Sequence, residues 1–264
     1  MPTLEGRFQQ ADSLRNNARV EEAIAEYLEI ARLAEQDGLM LLAARAMQMA
    51  GVSAKEAVSR PDSTKFRDAL KYFQAAELLF RQEQSLEDLG NLYRDLAIIH
   101  DYAGLGAQAL AYFQQSLELL EKTDSTAALA ITYDKLGLHF FKKNDLEAAL
   151  AYINRAFEIF KRDRGHGFYQ ATTMLDLARV LTKKGDDLEA MDWATQSLSW
   201  YEADHGAERY DRRRAQLYGL LSILYDRLGE DKKAHESAQK FEKLVREFDI
   251  EAGRVLRHDL EEVI

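Results

Sequence analysis

Cysteine is absent from this sequence, and proline occurs only twice, at Pro2 and Pro61. Without cysteine the chain has no disulfide bond, no cysteine-ligated zinc site and no thiol nucleophile. Proline stops helices, and its scarcity in a chain rich in Ala, Leu, Glu, Lys and Arg is typical of helical proteins. The sequence therefore predicts an all-α fold.

The sequence also has fewer cationic than anionic side chains. Lys and Arg together number 35 against 45 Asp and Glu, which gives a formal net charge of −10. Affinity for DNA and RNA comes mainly from cations that neutralise phosphates, so this balance excludes a general nucleic-acid binder. Hydrophobic residues make up 47% of the chain, which is enough for a packed core.

Long apolar segments are missing as well. The most apolar stretch, Leu39–Val52, is interrupted by Arg45 and Gln48, and it is shorter than the ~20 apolar residues that a membrane span requires. The amino terminus lacks the basic segment and apolar run of a signal peptide. We therefore expect a soluble, cytoplasmic protein with no membrane insertion.

The sequence does contain an internal repeat. The segments ALKYFQAA at 69–76, ALAYFQQS at 109–116 and ALAYINRA at 149–156 align without gaps. Equivalent alanines recur about every forty residues, and we name them the anchor alanines: Ala23, Ala69, Ala109, Ala149, Ala190 and Ala234. Six units account for nearly the whole chain, which predicts a repeat architecture.

Each unit is predicted to be a helical hairpin. A second small residue lies twelve positions before five of the anchors, and two small residues at a fixed offset across a turn let two helices approach closely. These residues are Ala11, Ala97, Gly137, Ala178 and Ser222. Left-handed helix C-caps are expected five residues before the anchors, at Gly104, Asn144, Gly185 and Gly229.

The repeated pattern resembles the tetratricopeptide repeat family. Its order is an aromatic residue, a leucine, a small residue, a bulky residue, a turn and the anchor alanine. The aromatic residues are Tyr93, Tyr133 and Tyr218, and the bulky residues are Phe140, Leu181 and Tyr225. The resemblance implies one domain, a right-handed α-solenoid of about six hairpins at about 4–37, 38–85, 90–125, 130–165, 171–208 and 215–247. The tail, 248–264, has apolar residues at helical spacing and is predicted to be a capping helix.

Two departures from the family pattern are visible. The closing proline is missing, and its place is taken by Glu121, Lys161, Glu202 and Arg246. The second helix of each hairpin is therefore expected to continue for up to two more turns. An insertion, Ser59–Lys65, is expected to end in an N-cap at Asp62 or Ser63. The period exceeds the ~34 residues of the family, and such longer units resemble those of kinesin light chain and of bacterial Rap-type regulators.

No motif of catalysis accompanies the repeats. A P-loop, a dinucleotide fingerprint and a nucleophile elbow are all missing, and no histidine pair has metal-ligand spacing. His100 falls at the bulky packing position of its repeat, so a core or half-buried role is expected. We therefore predict no enzyme activity, no cofactor and no metal.

The resemblance implies a peptide-binding surface, because solenoids of this family bind along a concave groove lined by first helices. Its candidate residues are Asn91, Arg94, Ile98, Tyr102, Asp134, Leu138, Phe141, Lys142, Arg179, Lys183, Ile223 and Arg227. The last groove position gives a basic column, Lys142, Lys183 and Arg227 after Tyr102, and the central position is mostly apolar. Such a surface suits a protein or peptide partner with acidic residues and hydrophobic anchors.

Both columns also have a structural explanation. A cation near a helix C-terminus is favoured by the helix dipole without any ligand, and apolar side chains pack equally well against neighbouring repeats. Three functions stay open: a scaffold or adaptor that holds a partner's peptide segment, a peptide-sensing receptor of Rap-like type, and a self-assembling structural protein. Monomer and dimer are both compatible with the sequence.

Overall fold

A computed structural model describes residues 3–16, 19–56, 64–163, 165–203, 210–247, 256–258, 260–261 and 263. The described residues contain no strand, and twelve helices among them pack as successive hairpins, so the predicted all-α fold class is confirmed. In chain order they are α1 Leu4–Asn16, α2 Val20–Gln36, α3 Met40–Glu56, α4 Thr64–Gln82, α5 Leu86–Tyr102, α6 Gly106–Leu120, α7 Thr126–Lys142, α8 Leu146–Arg162, α9 Gly167–Lys184, α10 Asp187–Ala203, α11 Asp211–Arg227 and α12 Asp231–Glu247.

The helices group into two compact units, Met1–Thr132 (unit 1) and Tyr133–Ile264 (unit 2), and the boundary falls within α7. In unit 1, each helix from α1 to α6 packs against the next, and the first helices α3 and α5 also contact each other. Tyr27, Phe73 and Phe80 are fully buried there.

Unit 2 follows the same plan. Each helix from α8 to α12 packs against the next, and the first helices α9 and α11 contact each other. The part of α7 in this unit lies against α8, because a Cβ atom added at Gly137 would be 2.4 Å from Cγ1 of Ile153. Ile153, Leu175 and Tyr201 belong to the core of this unit.

The anchor alanines lie where the hairpins are tightest. The first five are fully buried, and Ala234 in the last hairpin is half-buried. Seven residues after two of the anchors, serine hydroxyls cross the hairpin: Ser116 Oγ donates to the Gly90 carbonyl and Ser197 Oγ to the Ala171 carbonyl, each at 2.7 Å. A small residue at this position therefore permits close approach and a hydrogen bond between the two helices.

The predicted hairpin turns are confirmed. Gly104, Asn144, Gly185 and Gly229 all have positive φ, at 72°, 62°, 90° and 73°. This left-handed conformation redirects the chain after the first helix while the free N–H groups bond back to its last carbonyls. For example, the N–H of Asp186 donates to the Leu181 carbonyl at 3.0 Å.

The predicted extension of the second helices by up to two turns is wrong for α6 and α8. Helix α8 ends one residue past Lys161, and α6 ends just before Glu121. For α10 and α12 the extension past Glu202 and Arg246 falls on residues outside the described part of the chain. Local side-chain turns replace the proline: Asp163 accepts the Gly165 N–H at 3.2 Å after α8, and Thr123 accepts the Ser125 N–H at 3.3 Å after α6.

Four first helices begin at the same offset. Helices α5, α7, α9 and α11 each begin eleven residues before the small residue of their hairpin, so three turns precede the contact point.

Two predictions concern segments that the structure describes only in part. The proposed N-cap at Asp62 or Ser63 lies outside the described residues. Of the predicted capping helix 248–264, the described part includes Leu256 and Val263, both buried in the core of unit 2. Leu260 also packs there, close to the position that a Cβ of Gly219 would occupy.

Candidate peptide-binding surface

The twelve candidate residues all lie on first helices, and each unit holds its own set. Helix α5 carries Asn91, Arg94, Ile98 and Tyr102 in unit 1. The unit 2 set lies on α7, α9 and α11 and contains Asp134, Leu138, Phe141, Lys142, Arg179, Lys183, Ile223 and Arg227. Because the side chains recur at the same positions of neighbouring first helices, they form rows within a unit.

Phe141 is the centre of the unit 2 set. Its ring lies in the last turn of α7, and two cations from α9 lie over it. The Arg179 guanidinium carbon is 5.4 Å and the Lys183 Nζ is 5.0 Å from the ring centroid. Arg179 and Lys183 are one helical turn apart, so they project from the same side of α9. The result is a cation–π cluster that joins α7 to α9.

Below this cluster lie two buried carboxylates, Asp134 on α7 and Asp176 on α9, with exposed side-chain fractions of 5% and 2%. Lys135 Nζ donates to Asp134 Oδ2 at 2.7 Å, and Arg179 donates to Asp176 Oδ1 at 3.4 Å. Asp134 Oδ1 has no hydrogen-bond partner. Burial raises the pKa of Asp134, and the charge of Asp176 adds to this effect, against the opposing influence of Lys135 and Arg213.

The remaining unit 2 candidates differ in accessibility. Lys142 is exposed, and Leu138 and Ile223 are half-buried. Arg227 is used within the unit, because its guanidinium donates to the Thr182 carbonyl at 2.8 Å and to Asp187 Oδ1 at 3.0 Å. It therefore ties α11 to the end of α9 and the start of α10.

On α5 the polar candidates are engaged with one another. Arg94 donates to Asn91 Oδ1 at 2.7 Å and pairs with Asp95 at 3.8 Å. Ile98 is half-buried, and Tyr102 is 62% exposed. The α5 surface therefore offers an apolar contact beside a neutralised polar group.

Sequence reasoning missed the residues that support these sets. Asp95, Lys135 and Asp176 lie at the same repeat position, one anchor period apart, and each contacts a candidate residue. Gln48 on α3 donates to Asp95 Oδ2 at 2.8 Å. A signal was available, because charged residues recur at one repeat position of three successive first helices.

His100 is half-buried, as expected for its repeat position. Its Nδ1 lies 2.7 Å from the Leu96 carbonyl oxygen, and its ring centroid is 4.9 Å from that of Tyr112. Among the described residues, no group of three His, Asp or Glu side chains could hold a metal ion. No helix in the described ranges is both long and apolar enough to cross a bilayer.

Comparison with known families identifies part of the chain. Residues 127–203, which span α7 after its first residue and all of α8 to α10, match the family model described as Tetratricopeptide repeat. The resemblance stated from the sequence is therefore confirmed. No curated protein matches the sequence.

Solved structures with the same fold cover nearly the whole chain. BtubC (BKLC) from P. vanneervenii is 18% identical, with a TM-score of 0.69, and the match covers 92% of this chain and 91% of that one. Aspartyl phosphate phosphatase F from Bacillus subtilis is 11% identical, with a TM-score of 0.63, and the match covers 93% and 75%. A Rap protein complexed with Competence and Sporulation Factor is 14% identical, with a TM-score of 0.61, and the match covers 98% and 87%. At these identities the likeness concerns the fold.

Proposed function

We propose that this protein is a non-catalytic, cytoplasmic interaction module whose unit 2 first helices bind a peptide segment of a partner protein. The observation that carries the proposal is the cluster in which Arg179 and Lys183 lie over Phe141. It places two half-buried cations of α9 over the ring of Phe141, which is itself buried. Rigid helical hairpins position these groups in advance, so binding orders the peptide and little of the receptor.

The side chains around the cluster define the partner chemistry. Lys142 adds an exposed cation at the end of α7, and half-buried Leu138 and Ile223 offer apolar contacts. A segment with acidic residues would meet the cations, and its hydrophobic side chains would cover the apolar positions. Arg227 contributes to this surface indirectly, because its guanidinium is bound to Thr182 and Asp187.

The proposal is tested by selecting binders from a displayed peptide library and measuring their affinity by fluorescence anisotropy. Replacing Lys183 with Glu places a negative charge over Phe141, and we expect a loss of affinity of about tenfold or more for the selected peptides. We also expect the selected sequences to be enriched in Asp, Glu and large apolar residues.

Lys161→Glu is the matched control. Lys161 also lies over a phenylalanine ring, 5.8 Å from the Phe157 centroid, but it is on the second helix α8. This variant has the same charge change and the same loss of a cation–π contact, and we expect it to bind like the wild type. Equal loss in both variants, or unchanged affinity for Lys183→Glu, would place binding elsewhere.

A peptide-sensing regulator is the second candidate. It is favoured by the structural match to a Rap protein complexed with Competence and Sporulation Factor, which covers 98% of this chain. A regulator of this kind changes its dimensions when the peptide binds, whereas a scaffold does not. Small-angle scattering with and without a selected peptide separates the two, because only the regulator shows a changed radius of gyration.

A further inference from the structure

The two buried carboxylates of unit 2 are connected to the proposed peptide-binding surface through Arg179. This side chain donates to Asp176 Oδ1 on one side and lies over the Phe141 ring on the other. Asp134, on the neighbouring helix α7, is the second carboxylate. Any change in the charge of the pair therefore alters the electrostatic potential directly below the surface that is proposed to bind the peptide.

Charged and titratable groups from α7, α9, α10 and α11 surround the pair. Helix α7 contributes Lys135, which bonds to Asp134, and α9 contributes Arg179. The positive charge of Arg213 on α11 acts on Asp134, and Tyr201 on α10 holds Thr172 on α9 at 2.8 Å. With both carboxylates ionised, the three cations leave a net charge of +1, and one bound proton makes it +2.

The geometry around Asp134 favours that proton. Its Oδ1 is buried and has no donor, and Asp176 places a second negative charge nearby. Burying a carboxylate oxygen without a hydrogen-bond donor costs free energy, and protonation to a neutral carboxyl group lowers that cost. Lys135 stabilises the ionised form through a single contact at Oδ2.

We infer that Asp134, beside Asp176, takes up one proton from solvent when unit 2 binds an acidic peptide, and releases it when the peptide leaves. This inference rests on the proposed function, because it concerns regulation of the same surface. Its consequence is that acidic peptides bind more tightly as the pH falls. The proton and the peptide each add to the affinity for the other.

The same pair affects stability in the absence of peptide. The pKa of Asp134 is raised in the folded protein, so the folded state holds the proton at a higher pH than the unfolded state. The resulting stability is fully present below the unfolded pKa and is lost as the pH rises through the folded pKa. Wild type is therefore expected to lose stability relative to Asp134→Asn as the pH rises from the unfolded pKa through the folded pKa of Asp134.

The experiment has two parts, each comparing wild type with Asp134→Asn. The peptide-free part follows thermal unfolding and the side-chain carboxyl ¹³C resonances from about pH 4 to pH 8. The binding part measures the affinity of a labelled synthetic peptide of alternating Asp and Leu, whose carboxylates stay ionised above about pH 5. We expect wild-type affinity to rise at least about threefold from pH 8 to about pH 5.5 beyond the rise in the variant.

The outcomes are distinguishable. If the peptide binds both proteins with the same pH dependence, the proton linkage is wrong and the binding surface stands. If the peptide fails to bind at any pH, the acidic-partner proposal is wrong and the linkage fails with it. Comparison with the variant removes the pH effects that the two proteins share. Should Asp134→Asn unfold, Asp176→Asn removes the other member of the pair, and a wild-type pH dependence in that variant would overturn the inference.

Discussion

Helix α5 of unit 1 and helix α7, whose last ten residues belong to unit 2, carry opposite charges at the same two repeat positions. The pair is Arg94–Asp95 in α5 and Asp134–Lys135 in α7. In α5 the buried carboxylate has a partner at each oxygen, with Gln48 at 2.8 Å and Arg94 at 3.8 Å. In α7 one carboxylate oxygen bonds to Lys135 and the other has no partner.

The difference shows what a repeat does and does not determine. The period fixes the place of a residue on its helix but not its charge or its burial: Asp95 and Asp134 are buried at neighbouring repeat positions, and Lys135, at the position of Asp95, is half-buried. Whether a buried carboxylate is satisfied depends on residues that the period does not repeat, such as Gln48 on α3. One unit therefore carries a fully paired polar group, and the other carries a group that can respond to protons.

The largest effect is expected from making α7 resemble α5 at its hairpin contact. Gly137 occupies the position of Ala97, and a Cβ there would lie 2.4 Å from Ile153 Cγ1 and 3.0 Å from the Ala149 carbonyl oxygen. Gly137→Ala is expected to lower the free energy of unfolding by about 2–3 kcal/mol, measured by urea denaturation. The reverse change, Ala97→Gly in α5, is expected to lose only about 1 kcal/mol, and equal losses would contradict the difference in packing.

The buried carboxylates provide the next test. Asp95→Asn removes an ionised group that has partners at both oxygens, and we expect a loss of about 1–2 kcal/mol. Asp134→Asn removes a charge with an unpaired oxygen, and we expect a gain of about 1 kcal/mol at neutral pH. Denaturation of both variants under one condition checks the signs. If both changes destabilise the protein equally, the comparison between α5 and α7 fails.

The smallest effects are expected at two turns, one in each unit. Gln84 and Asn144 have positive φ, at 55° and 62°. Gln84→Gly relieves a backbone conformation that favours glycine and is expected to add about 1 kcal/mol. Asn144→Gly should add only about 0.3 kcal/mol, because asparagine tolerates this region. Shifts in the midpoint of thermal unfolding measure both gains in stability. A larger gain from Asn144→Gly than from Gln84→Gly would show that backbone strain does not decide which variant gains more.

Much of the fold was predictable because its determinants are local. Gly104, Gly185 and Gly229 mark turns because glycine adopts positive φ without a steric penalty. The anchor alanines mark close helix contacts because a larger side chain would separate the helices. The ends of α6 and α8 were mispredicted because proline was taken as the residue that stops these helices. Side-chain turns at Thr123 and Asp163 follow the two helices instead.

The sequence predicted which helices carry the candidate residues, but not which of those residues are buried. Periodicity correctly put the twelve residues on first helices, but it did not show that Asp134 and Phe141 are buried. Nor did it show that Arg227 is bound to Thr182, since that contact joins residues 45 positions apart in sequence. Pairing over such distances depends on how the hairpins stack, which a single repeat does not encode.

The contact between Leu260 and Gly219 covers part of the last hairpin. A stack of hairpins offers an apolar face to whatever hairpin comes next, and an uncovered face can recruit another molecule into a head-to-tail filament. Here Leu260 fills the space that a side chain at Gly219 would occupy, and Leu256 and Val263 are buried beside it. Residues of the same chain therefore cover this part of the apolar face.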